Sequence, residues 1–317
     1  MNKVFCIGEL LIDFINKDIN AGLVKGINFE KKAGGAPANV CAAVCKLGGK
    51  SYFLGQIGKD AFGKFLLDTL KNANINTEMV VEEGNTTLAF VSIDENGERD
   101  FEFNRGSDGQ YSFDKIDLNK ISKNDIVHFG SATAFLEGEL KNTYFKLLNY
   151  CKENKIFISF DPNYRDALIT EDKLEQFIED CKEFIKYSDF IKLSDEEIKI
   201  ITKEEDLYNG IEKLHNMGAK LIAVTLGSKG TLVSTNEENY IVQSIKIKQV
   251  DSTGAGDAFV GAVLKQIAQL KDKNNISFEK MKEIIFYANK VGAFTCTNYG
   301  AIDAMPEEKD LNILYLG

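Results

Sequence analysis

Short apolar runs and longer amphipathic stretches take turns along most of this chain. Val4–Ile7, Ser51–Leu54, Ile126–Phe129, Ile156–Phe160, Phe190–Leu193 and Leu221–Thr225 are brief and mostly apolar. Such runs predict strands buried on both faces. Between them, Ala61–Asn72, Gly138–Glu153, Asp172–Lys186 and Asp206–Met217 repeat apolar residues at helical spacing. Strand and helix in alternation predict an α/β fold, with a mainly parallel sheet between helices and ligand sites outside the C-terminal strand ends. Two strand-like segments, Leu11–Glu30 and Thr86–Arg105, do not sit between helices. The second reads as a hairpin: Leu88–Ile93, a turn at Asp94-Glu-Asn-Gly97, then Arg99–Asn104. Asn96-Gly97 is a strong hairpin signal, and Phe101 and Phe103 alternate with Glu102 and Asn104 to give one apolar face. We expect a small antiparallel sheet standing off the main body, as a flap over a ligand or a face for a second subunit. The alternative is a plain hairpin on the sheet edge.

Composition narrows the partners. The 317 residues carry a net charge of −10, which argues against non-specific nucleic-acid binding. No apolar run approaches the ~20 residues of a membrane helix. The chain enters a buried-strand pattern at Val4 without a leader-like segment, so the expectation is a cytoplasmic protein. The six cysteines contain no C-x-x-C pair, and free thiols suit a reducing compartment. Cys41 and Cys45, one turn apart on a predicted helix, read as small core residues, because neither His128 nor His215 is near in sequence.

The chemistry concentrates in Asp251-Ser-Thr-Gly-Ala-Gly-Asp257, which runs into the helical stretch Ala258–Leu264. Glycines before a helix let backbone N–H groups approach an anion, and the helix start adds a positive dipole end. Asp257 falls in the first turn, where a carboxylate is either a cap or a base. Beside an anion hole it could take the proton of an attacking hydroxyl, the division of labour that phosphoryl transfer needs. No G-x-x-x-x-G-K-[ST] and no H-R-D with D-F-G occurs, and Gly254-Ala-Gly256 lacks the third glycine of a dinucleotide fingerprint. Asp13, in an apolar run, needs polar partners. Gly34-Gly35 opens room beside the backbone, and Asn39 offers a donor and an acceptor on the first turn of the next helix. Of 38 basic residues only Arg99, Arg105 and Arg165 are arginine. Lys does not replace a planar five-donor fork. Arg105 and Arg165 are therefore expected at the bound substrate or the transferring phosphoryl group, and Arg99 at a solvated tip. The alternative makes all three structural partners.

These motifs resemble those of the ribokinase, or PfkB, family of sugar kinases. Asp251–Asp257 resembles its second signature. Gly34-Gly-Ala-Pro-Ala-Asn39 through Gly55-Gln-Ile-Gly58-Lys-Asp60-Ala-Phe-Gly63 resembles the first, and the likeness spans essentially the whole chain. Gly8-Glu-Leu-Leu-Ile-Asp13, Phe160-Asp-Pro-Asn-Tyr-Arg165 and Lys192-Leu-Ser-Asp-Glu-Glu197 are most similar to fructokinases within it. The resemblance implies a ribokinase-like three-layer sandwich over 1–317, with a β-clasp lid from about 9–33 and 85–106. It implies Asp257 as catalytic base, with Gly254, Ala255 and Gly256 as the anion hole. It assigns Asp13, Gly34, Gly35 and Asn39 to the sugar, together with Phe101, Arg105 and Arg165 around it. Lys192, Ser194, Thr225, Gly227, Gly230 and Asn289 are expected at the nucleotide, and Asp251, Thr253 and Gly300 at a monovalent cation. Many members carry Asn-x-x-Glu to order water around Mg²⁺; here Ser194 takes the first position and Glu197 keeps the carboxylate. The implied ligands are ATP, Mg²⁺, K⁺ and fructose, with a homodimer formed through the clasps. A 2-keto-3-deoxygluconate kinase is the rival within the class; a catalytically silent sugar-binding regulator and a dehydrogenase are rivals outside it.

Overall fold

The computed structural model describes residues 1–18, 20–93 and 99–311. Among these, a nine-stranded sheet contains β1 (Val4–Ile7), β4 (Ser51–Ile57), β5 (Asn76–Glu82), β8 (Ile126–Phe129), β9 (Phe157–Phe160), β10 (Phe190–Ser194), β11 (Ile222–Thr225), β12 (Thr231–Ser234) and β13 (Asn239–Val242). Its order is β13-β12-β11-β10-β9-β8-β1-β4-β5. Pairing is parallel from β11 through to β5, and β12 and β13 add antiparallel strands at one end.

The strand alternation explains the layers. Val4 and Cys6 join one core with residues of α2 (Ala36–Lys46), α3 (Ala61–Asn72), α8 (Ala255–Ala268) and α9 (Phe278–Thr295). Phe5 and Ile7 join the other, with α4 (Glu139–Glu153), α5 (Glu171–Tyr187), α6 (Asp195–Thr202) and α7 (Leu207–Met217). All four β1 side chains are fully buried, as a strand covered on both faces requires.

A second sheet of β2 (Leu11–Asn16), β3 (Phe29–Gly34), β6 (Leu88–Ile93) and β7 (Arg99–Asn104) has the order β3-β2-β6-β7, with a short helix α1 (Gly22–Lys25) between β2 and β3. The expectation of an antiparallel flap needs correcting, because β2 and β6 pair in parallel. The reason is topological. β2 follows β1 and β6 follows β5, so both leave the same end of a parallel sheet in the same direction. The clasp also does not stand clear of the body. Ile12 is buried, and Phe14 stacks on Phe90 and meets Phe62 of α3 edge-on at 5.6 Å. The β6–β7 hairpin pairs as expected, with Phe101 and Phe103 stacked on one face. Its Asn96-Gly97 turn and the Arg99 side chain lie outside the described residues.

Candidate active site

The clasp joins the body where β1 runs into β2, and this places Asp13 over the C-terminal ends of the strands. A Cβ at Gly34 would come within 2.0 Å of the Asp13 carboxylate, so only glycine leaves that group its space. Gly35, at φ 126, lies so close to the Glu9 carbonyl that a Cβ would sit 2.4 Å from it. Burial pushes Asp13 up to about 6, against the pull of Arg165. Among the described residues no hydrogen bond reaches its carboxylate.

Asn39 follows on the first turn of α2. Its Nδ2 donates to Asp257 Oδ2 at 2.8 Å, joining motifs 218 residues apart in the chain. Only the nitrogen can donate to a carboxylate, so the amide orientation is fixed and Oδ1 faces the other way. That oxygen is buried without a partner, an acceptor ready for a hydroxyl.

Asp257 sits in the first turn of α8, whose N-cap is Gly254 in the left-handed region at φ 73. Among the described residues its carboxylate bonds Asn39 rather than an amide of its own helix. No cap bond of its own helix is made by this carboxylate among the described residues. Burial raises its pKa, with Asp161 adding to the rise and Asn39, Arg165 and Lys192 opposing it. Arg165 is exposed, donates to the Tyr164 carbonyl at 2.8 Å, and its charge acts on both Asp13 and Asp257. Lys192, on β10, forms a buried ion pair with Asp161 at 3.1 Å. Burial alone would lower its pKa, but Asp161, Glu197 and Asp257 outweigh that and hold it charged. Its Nζ lies 3.5 Å from where a side chain on Gly256 would begin, so a fixed cation borders the Gly254-Ala255-Gly256 turn. Sequence reasoning gave Asp161 no role, although it lies inside a quoted run. Its signal is a carboxylate directly after a buried strand, an expensive position without a cation.

The remaining predicted residues divide. Asp251, Thr253 and Gly300 do come together: Asp251 accepts from Thr253 N (3.0 Å), Thr253 Oγ1 (2.7 Å) and Gly300 N (2.9 Å). Thr225 pairs in register with Ser194, and the Gly227–Gly230 turn follows it beside β13. Several others already have protein partners. Ser194 and Glu197 form the capping box of α6, and the second Glu197 oxygen accepts from Tyr164 N at 3.0 Å. Asn289 accepts from Thr231 and donates to the Val242 and Gln243 carbonyls, fastening α9 to the hairpin of β12 and β13. Arg105 donates to the carbonyls of Thr133 and Glu137 and pairs with buried Asp108 at 3.5 Å. Phe101 faces the same side of the clasp as Asp13. Among the described residues no cluster of acidic, His or Cys side chains could cage a metal.

The chain is similar along its length to known sugar kinases. The profile of the "pfkB family carbohydrate kinase" matches residues 1–308. The "Probable fructokinase-6, chloroplastic" of Arabidopsis thaliana is 37% identical over 316 residues, covering 96% of this chain and 80% of that protein. A double mutant of the Vibrio cholerae O395 fructokinase, solved with fructose, ADP and potassium ion, superposes with a TM-score of 0.87 at 27% identity, covering 99% and 98% of the two chains. The Xylella fastidiosa fructokinase with bound ATP gives a TM-score of 0.88 at 30% identity over 98% and 97%. With both signatures converging on one buried carboxylate, the chain belongs to the pfkB family of carbohydrate kinases.

Proposed function

We propose that this protein transfers the γ-phosphoryl group of ATP to the 6-hydroxyl of D-fructose. The observation that carries this reading is the Asn39–Asp257 hydrogen bond, which joins the turn of Gly34, Gly35 and Asn39, the proposed sugar cradle, to a carboxylate beside the Gly254–Gly256 turn. Asp13 and the free Asn39 oxygen would accept sugar hydroxyls. Asp257 would take the proton of the attacking hydroxyl as its oxygen bonds to phosphorus and the bond to the ADP oxygen breaks. The amides of Gly254, Ala255 and Gly256, with Lys192 beside them, would hold the charge that develops. Thr225, Gly227 and Gly230 would line the nucleotide, and Mg²⁺ would arrive with its phosphates. The Asp251, Thr253 and Gly300 cluster would hold K⁺ and set the shape of the anion hole. An uncharged sugar fits better than an acid sugar, because Arg105, the natural partner for a carboxylate, is occupied by Asp108 and two carbonyls.

Two clasps would pair in a homodimer, and the free thiols fit the cytoplasm. The test is a coupled assay over a sugar panel with Mg²⁺, run in K⁺ and in tetramethylammonium. Fructose should exceed 2-keto-3-deoxygluconate in kcat/KM by ~10²-fold, because the acid sugar must bring a charge beside the Asp13 and Asp257 carboxylates and desolvate it. The K⁺ rate should be the higher. Preference for the acid sugar would overturn the assignment.

A further inference from the structure

The start of α2 has an unusual cap. Its N-cap is Gly35, which has no side chain to bond the first-turn amides, and the helix begins Ala36-Pro37. Glycine is needed there because of the Glu9 carbonyl, so an ordinary Ser or Asp cap is ruled out. The missing acceptor comes from 27 residues away. Glu9 Oε1, in the link between β1 and β2, accepts from Ala36 N at 3.1 Å, and Oε2 accepts from the Ser131 hydroxyl in the loop after β8. Glu9 is 2% exposed and touches neither Asp257 nor Asp13 in any hydrogen bond among the described residues.

We propose that Glu9 is a positioning residue: it anchors the start of α2, and through that turn sets Gly34, Gly35 and Asn39 for the sugar. This rests on the reading of the cradle as a sugar site. The Glu9 oxygen is suited to the task, since it accepts from an orphan amide of the helix start. Burial pushes the Glu9 carboxyl up to about 7, its bonds from Ser131 and Ala36 oppose the rise and the Asp108 charge adds to it, and the Tyr144 phenol, pushed above its ordinary range by burial, stays neutral beside it. A glutamine at position 9 would keep one acceptor and lose the charge. It must then turn its NH₂ either on the Ala36 N–H, donor against donor, or on Ser131, whose hydroxyl proton then loses the acceptor it has in Glu9.

The experiment compares wild type, Glu9→Gln and Ser131→Ala as full chains, by steady-state kinetics and by hydrogen exchange of residues 35–40. We expect a sugar KM at least ~10-fold higher in Glu9→Gln, with a smaller rise in Ser131→Ala. The ATP KM should stay within about twofold, and exchange should quicken at 35–40 but not in α8. A purely structural role would lower the melting temperature and the active fraction while leaving the sugar KM alone, and that result overturns the proposal. So does unchanged exchange at 35–40. Should Glu9→Gln fail to fold, the Ser131→Ala pattern decides. The wild-type rate on fructose tests the function separately, because exchange needs no substrate.

Discussion

The buried carboxylates would give the proposed site its reactivity and make it sensitive to pH. Asp257 has a raised pKa, so it is a stronger base than a surface carboxylate, yet it must be ionised to act. Asp257→Ala should lower kcat by ~10²–10⁴, with sugar and ATP affinity changing far less. A near-normal kcat in that variant would return Asp257 to the role of a helix-start residue. Asp13 has a cost of its own. Its folded-state pKa of about 6 lies above that of a free carboxylate. Its contribution to stability is therefore full at pH below the unfolded value and is lost as pH rises through about 6. Asp13→Asn should melt higher than wild type at pH 8, by roughly 2 °C, while the difference vanishes only below the ~3.9 of a free carboxylate, where Asp13 is neutral in the folded and the unfolded chain alike. The same variant should bind sugar poorly at every pH. Equal melting at pH 8 would show that Asp13 is solvated and its pKa ordinary.

Elements decide which motif residues are free to meet a ligand. Ser194 looks like a nucleotide or Mg²⁺ contact from its place in the chain, yet its hydroxyl accepts from Glu197 N at 3.1 Å and starts α6. Ser194→Ala should cost about 1 kcal/mol of stability as a lost N-cap, read by urea unfolding, with the ATP KM within about twofold of wild type. A tenfold rise in the ATP KM without a stability loss would reverse that reading. Much of the architecture was legible because its signals are local. Strands such as β1 and β8, buried on both faces, read as unbroken apolar runs, and α3 to α5 and α7 show their apolar stripes. The mixed pairing of the clasp was not legible, since whether β2 meets β6 in parallel depends on how β1 and β5 leave a distant sheet. Residue types at the site were legible from the motifs, but their partners were not. Asn289, expected at the nucleotide, is spent on Thr231, Val242 and Gln243, and nothing near it in sequence points to them. Glu9 escaped notice because it follows an apolar strand and has its partners at Ala36 and Ser131.

At the scale of the whole molecule the clasp is the exposed element. Its outer strands β3 and β7 leave backbone groups unpaired within the sheet, a liability that proteins tend to cover. Val24 and Ile27, beside the tip of β3, are 96% and 84% exposed. A pair of clasps packed together would cover both features, so we expect a dimer in sedimentation at micromolar concentration, dissociated by Val24→Glu with Ile27→Glu. A monomer in the unmutated protein would count against it. The Asn39–Asp257 bond has a further consequence, for synthesis. Its two ends are 218 residues apart, and β1 lies between β4 and β8 in the sheet. While the ribosome is still short of α8, the earlier part of the chain can build its clasp and cradle but has no base to place in them. Phosphorylating ability would thus switch on late and all at once, and ribosome-stalled chains ending before residue 257 should be inert however well their first half has folded.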